Sequence, residues 1–162
     1  MLEILKNPKT ENYQKLKNSI FDNYFPWFYQ KTSTTGEDNI PGHTNIPFYC
    51  HTLLDRPDKG KKYTESKSSA SQLSVAVVSE ILQFNNPNAE FFFLRMSVNA
   101  TYHVIGNQFT IPHNDHSFPH TNFICYLTDN HGGGRTFVEG HQPYEPVEDE
   151  CIVFTGEHYM EL

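Results

Sequence analysis

The sequence predicts an α+β fold, with helices in the first half and a sandwich or barrel core of antiparallel strands in the second. Two helical stripes and a change of texture after residue 89 carry that expectation. In the first stripe, Thr10 can cap a helix with Tyr13, Leu16 and Ile20 on one face, ending before Pro26. In the second, serines at 66, 68, 69 and 71 lead into "SQLSVAVVSEILQF". There Leu73, Val77, Ile81 and Phe84 recur at helical spacing until "NNPN" at 85–88 stops the helix. "STTGEDNIPGHTNIP" (33–47) and the stretch around "LDRPDKGKK" are rich in turn formers and read as loops.

From residue 90 the chain reads as strands. "EFFFLRMSVNATYHV" is dense in aromatic and β-favouring residues. Leu94, Met96, Val98 and Ala100 alternate with Arg95, Ser97, Asn99 and Thr101, so one face is apolar and the other polar. The apolar face is expected to pack on the helices and the polar face to line a cavity. "TNFICYLTD" (121–129), the turn "NHGGG", "RTFVEG" and "ECIVFTG" (150–156) supply the remaining strands. With no repeat and no linker, residues 1–162 are expected to form a single domain, 1–89 supporting a core at 90–162.

Composition narrows the function. Hydrophobic residues at 37% and aromatics at 14% exclude a disordered chain. Nineteen acidic residues against 12 basic ones, a formal net charge of -7, argue against nucleic acid and anionic membrane as partners. The dense basic run "KGKK" (59–62) reads as a solvated loop. Cys50, Cys125 and Cys151 form no CxxC pair and suggest buried, reduced thiols in a cytosol-like compartment. The N-terminus lacks the apolar length of a signal peptide, and no stretch approaches membrane-spanning length. A soluble, cytoplasmic protein is expected.

The chemistry concentrates in "PHNDHSFPH" (112–120). On an extended backbone His113 and Asp115 point the same way, with Cα atoms roughly 6–7 Å apart at about 3.3 Å per residue. That span suits two side chains closing on one ion. His116 and His120 are four apart, but Pro119 between them makes a helical metal face a poor fit. His158, just beyond an apolar strand, can supply a third ligand. Two imidazoles and a carboxylate that leave half an octahedron open form the facial triad of non-haem Fe(II) oxygenases. Taken alone, H-x-D is equally a solvated histidine beside a turn-forming aspartate.

From Phe91 onward the chain resembles the 2-oxoglutarate- and Fe(II)-dependent dioxygenases, in their prolyl 4-hydroxylase-like branch. The matching pieces are "PHNDHSFPH", "NFICYLTDNHGGGRTFV" and "YEPVEDECIVFTGEH". The first half, with "FPWFY" and "FYCHTLLDRP", is similar to small members of the branch from phage and marine bacteria. The resemblance implies a double-stranded β-helix, a jelly-roll or cupin-like core with N-terminal helices packed outside. It implies Fe(II) and 2-oxoglutarate as cofactors, with His113, Asp115 and His158 as iron ligands. Tyr126 matches a position that bonds the 2-oxoglutarate carboxylate. Asn122 shares its face by alternation, and Asn99 lies on the polar face of its own strand. For each of these three a purely structural role fits the sequence equally well.

His103, His116, His120 and His131 read as loop histidines or as groups that orient a ligand. Gly132, Gly133 and Gly134 shape a hairpin rather than a phosphate site, since no helix follows them. The family also places a lysine or arginine on the strand after the distal histidine, to grip the far carboxylate of 2-oxoglutarate. The sequence as given ends at "HYMEL", so a last C-terminal strand is expected to be missing and co-substrate binding weak. Arg95 and Arg135, the arginines of the strand region, stand elsewhere. The expected activity is hydroxylation of a protein side chain, prolyl-like, or of a small molecule, in a bacterial or phage-infected cell. The rivals are a non-catalytic jelly-roll ligand-binding module and a metal-dependent cupin enzyme that does not use 2-oxoglutarate.

Overall fold

The computed structural model describes residues 1–33, 40–57, 63–101, 109–129 and 134–160. In chain order its elements are β1 (Leu2–Leu5), α1 (Glu11–Ile20), β2 (Phe28–Gln30), β3 (His43–Thr44), β4 (Phe48–Asp55), β5 (Glu65–Ser66), α2 (Ser71–Asn85), β6 (Met96–Ala100), β7 (Phe109–Thr110), β8 (Asn122–Cys125), β9 (Thr136–Val138), β10 (Cys151–Phe154) and β11 (His158–Met160). Helices and strands are mixed; β1–β10, β10–β8, β11–β9, β4–β5 and β4–β6 pair antiparallel, and β3 and β7 pair parallel. Two compact units form. One holds residues 1–5, 30–48 and 101–162, the other 6–29 and 49–100. His103, His131, Gly132, Gly133 and the basic run 59–62 lie outside the described residues.

In the helical unit, α1 starts where the capping residue predicts. The Thr10 hydroxyl accepts the Tyr13 N–H at 3.2 Å and satisfies one of the helix's orphan donors. The same hydroxyl donates to Glu80 of α2, whose other oxygen accepts from Asn12. Tyr13, Leu16 and Ile20 are buried, as their spacing predicts.

Helix α2 buries the expected Val77 and Ile81, but its inward face is shifted toward the serines. Ser71, Ser74, Val77 and Ile81 are buried, whereas Leu73 is half-buried and Phe84 exposed. The serines tolerate burial because each hydroxyl has an acceptor. Ser71 donates to the Leu53 carbonyl at 2.6 Å and Ser74 to the Ala70 carbonyl at 2.9 Å.

Strand β4, "FYCHTLLD", was not anticipated from the sequence. Cys50, His51, Leu53 and Leu54 are all buried, so the strand lacks the alternation that marks a half-exposed one. It pairs with β6 through a register shift between Thr52 and Leu54. The His51 ring donates from Nδ1 to the Pro26 carbonyl at 2.7 Å, which leaves Nε2 to accept from the Ser68 hydroxyl at 2.7 Å. On β6 the alternation is present, with Asn99 exposed between the half-buried Val98 and Ala100.

The strand unit contains the sheet β1-β10-β8. Strand β1, "LEIL", also escaped the sequence reading, and it pairs along β10 from Leu2↔Phe154 to Leu5↔Cys151. Central β10 is buried at all four positions. Its Ile152 and Phe154 form a core with Val138 and Tyr144, against which Leu2, Ile124 and Tyr126 pack. Strands β9 and β11 form a second antiparallel pair with Val138 opposite His158. Just before β10, Asp149 adopts φ 65, its N–H donates to the Tyr126 carbonyl, and the Tyr126 N–H donates to the Glu150 carbonyl. This is a β-bulge with aspartate in the left-handed position that glycine usually takes. Among the described residues no helix is long and apolar enough to cross a membrane.

Two stability outcomes follow from this packing. Ile152→Ala, at a site with no exposed surface, should lower the unfolding free energy by about 2–5 kcal/mol in urea titration. Thr10→Ala should cost about 1–2 kcal/mol and Thr10→Ser much less, since serine keeps the cap.

Candidate metal centre

Two histidines meet through the backbone. The N–H of His113 donates to the His158 carbonyl at 3.0 Å, and the N–H of His158 donates back to the His113 carbonyl at 3.1 Å. Directly paired antiparallel residues share a face, and the two imidazole centres lie 4.6 Å apart. Asp115, two residues on, brings Oδ2 to 3.8 Å from His158 Nε2. The structure therefore gathers His113, Asp115 and His158, the three ligand candidates of the sequence.

Protonation favours ligation. His113 donates from Nδ1 to the Ile111 carbonyl at 2.8 Å, which leaves the Nε2 lone pair for a metal. His158 is 8% exposed and packs on the Phe154 ring at 5.0 Å. Burial first, and then the neighbouring His113, push its pKa down to about 4, against the opposing pull of Asp115. A neutral imidazole is the ligating form.

Among the described residues no group of three or more histidine, cysteine or acidic side chains is placed so that it could hold a metal ion as it stands. Two cis ligands at about 2.1 Å from an octahedral ion lie about 3 Å apart. The Asp115–His158 separation of 3.8 Å exceeds that by on the order of 1 Å, within reach of carboxylate rotation. His158 Nδ1 is buried without a hydrogen-bond partner, as are His120 Nε2 and Asn122 Nδ2. In donor type the three residues suit a metal ion, and binding one requires the Asp115 carboxylate to close on His158 from 3.8 Å.

The other candidates are dispersed. Asn122 sits on β8 opposite Phe154. Tyr126, one residue past β8, stacks on Tyr144 at 5.4 Å and shares a 2.7 Å hydrogen bond with the Thr136 hydroxyl. Burial pushes its phenol pKa well up, so the hydroxyl stays protonated. Asn99 is exposed on β6, opposite Cys50, in the helical unit. Arg135 holds Glu145 at 3.8 Å and lies 5.7 Å from the centre of the Phe137 ring. His116 stacks on Phe118 at 4.9 Å, with the His120 ring edge-on to it.

The sequence offers His120 only as a loop histidine or ligand-orienting group and gives no sign that its Nε2 is buried. Its Nδ1 donates to the Phe118 carbonyl at 2.8 Å, the same two-residue back-bond that His113 makes, and its Nε2 is buried. Nothing in "FPH" signals that burial.

The pKa of His158 sets a pH dependence for the metal-free protein. The unfolded histidine binds a proton near the ordinary imidazole value of 6.5, the folded one only near about 4. Stability is therefore full above pH 6.5 and falls as pH drops through that window, by on the order of 3 kcal/mol from this residue alone. Urea titrations of metal-free protein from pH 7 to 4 should show the loss, and His158→Gln should flatten that part of the profile.

No family model matches the sequence, and no curated protein matches it. The fold is similar to the crystal structure of an oxidoreductase of the 2OG-Fe(II) oxygenase family from Burkholderia pseudomallei. The TM-score is 0.59 at 14% identity, over 91% of this chain and 69% of that one. At that identity the likeness is one of fold.

Proposed function

We propose that the chain is an Fe(II)- and 2-oxoglutarate-dependent dioxygenase built on a jelly-roll core, of the prolyl 4-hydroxylase-like branch. It hydroxylates a protein side chain or a small molecule. The observation that carries this reading is the backbone-paired His113 and His158 with Asp115 two residues along. The fold likeness to a 2OG-Fe(II) oxygenase supports it. When bound, the iron and 2-oxoglutarate supply the oxidising chemistry, with succinate and carbon dioxide as co-products.

The chain's own residues do the rest. His113 and His158 offer neutral imidazole lone pairs, and the Asp115 carboxylate offsets part of the metal's charge. Three protein donors leave the opposite face open for co-substrate and dioxygen. Asn122 presents a buried N–H with no partner, suited to a carboxylate oxygen of the co-substrate. Tyr126 is held by Thr136 and Tyr144 and supports the strand core behind the site. Phe154 and Ile152, both fully buried, exclude water behind His158.

Anaerobic Fe(II) loading tests the ligand set. His113→Ala and Asp115→Ala should each lose most of the bound metal, at least tenfold in affinity, while His116→Ala keeps it. Equal losses in all three remove support for the triad. Succinate formation that requires both Fe(II) and 2-oxoglutarate separates this reading from a ligand-binding jelly roll and from a cupin enzyme of other chemistry. Metal binding without such turnover favours the cupin.

A further inference from the structure

We propose that Cys125 and Cys151 are a modification site, where a peroxide converts the two thiols into a disulfide bridging β8 and β10. The register sets the two residues directly opposite one another. The bulge at Asp149 and Glu150 fixes which kind of pair they form. Tyr126 exchanges hydrogen bonds with the bulge, so the next position along the ladder, Cys125 opposite Cys151, is a non-hydrogen-bonded pair. Such pairs have Cα atoms about 4.5 Å apart, inside the range a disulfide spans. Their side chains share one face, the side of the sheet opposite Asn122, Ile124 and Tyr126. Both cysteines are reduced, and their thiols are in hydrogen-bonding contact.

The two thiols are not equivalent. Cys151 has no exposed surface, and the Cys125 contact together with burial pushes its thiol far up. Cys125 is half-buried and is therefore the sulfur that meets the oxidant. Its thiolate attacks one peroxide oxygen, the O–O bond breaks, and sulfenic acid forms at Cys125 with release of water from hydrogen peroxide. The Cys151 sulfur then attacks the Cys125 sulfur. An S–S bond forms, the S–O bond breaks, and hydroxide leaves as a second water with the proton from Cys151. Two thiols lose two electrons in all and one peroxide gains them.

Contact between the sulfurs gives the second step a high effective concentration, so the cross-link should outrun over-oxidation of Cys125. The bond would tie down the segment 126–150, which carries Tyr126, β9 and Tyr144. Strand register sets this thiol pair independently of any metal.

The 162-residue chain, reduced and metal-free, should be exposed to hydrogen peroxide at mildly alkaline pH and mapped by mass spectrometry without reduction. The expected product has lost two hydrogens, yields a peptide joining Cys125 to Cys151, and reverts with dithiothreitol. Its melting temperature should rise and fall with the cross-link. Cys50→Ser should form the same product. Cys125→Ser should not, and its Cys151 should stay unmodified for longer than Cys125 does in Cys151→Ser. Addition of one or more oxygens to Cys125 without cross-linking overturns the proposal. So does an unchanged mass, or a cross-link that involves Cys50. Since the decisive map is made on the unmutated chain, a variant that fails to fold does not blunt the test.

Discussion

The site depends on one antiparallel bridge. Two main-chain hydrogen bonds between His113 and His158, 3.0 and 3.1 Å long, join segments far apart in sequence. Once they form, the imidazoles share a face, and the two-residue period brings Asp115 to that side as well. Strand β11 is itself fixed from two directions, by β9 through the His158↔Val138 pair and by the Thr110 hydroxyl, which accepts the Met160 N–H at 2.8 Å. The entropy of closing the long loop is thus offset by the β ladder and core, so the paired histidines are brought together without any ligand. The cost falls on His158, which must remain neutral in an apolar surrounding.

Part of this was legible in the chain. Alternation placed His113 with Asp115, and "ECIVFTG" announced an apolar strand leading to His158. Thr10 marked the start of α1. What stayed hidden has physical causes. Strands β1 and β4 gave no clear period-two signal, because β4 is buried on both faces and β1 is a four-residue strand whose meaning comes from pairing with β10. In α2 the helical period was right but its phase was not, since hydropathy takes serine for a surface residue. Ser71 and Ser74 instead find carbonyl acceptors and go inside, leaving Phe84 outside. The bulge before β10 carries aspartate where glycine would have signalled it.

Strand β8 shows why alternation succeeded where element boundaries did not. The regular strand ends at Cys125, yet Tyr126 still donates its N–H to the Glu150 carbonyl, so the pleat continues one residue further. Tyr126 therefore keeps the side of Asn122 and Ile124, and its hydroxyl reaches Thr136 on β9. Cys125 takes the other side with Cys151. One pair of strands thus presents one side to the Ile152–Phe154 core and a thiol pair on the other. The bulge sets both, because it fixes which residues exchange hydrogen bonds and which only face each other.

Tautomer alone does not select the metal ligands among the histidines. His113 and His120 each donate Nδ1–H to the carbonyl two residues earlier, at 2.8 Å. Both therefore offer an Nε2 lone pair. His51 differs, because hydrogen bonds engage both of its nitrogens. Backbone pairing singles out His113, which alone of the two is bridged to His158 and followed by a carboxylate in phase. His120 Nε2 remains a buried acceptor without a partner, and Asn122 Nδ2 a buried donor without one. Each such group costs about 1–3 kcal/mol relative to its hydrated form. The two positions are two residues apart at the entry to β8 and offer opposite hydrogen-bonding character. A ligand carrying both a donor and an acceptor would satisfy them together, and a bare carboxylate only the asparagine. The strand unit thus carries two buried polar groups, on His120 and Asn122, whose hydrogen-bonding capacity a ligand could satisfy.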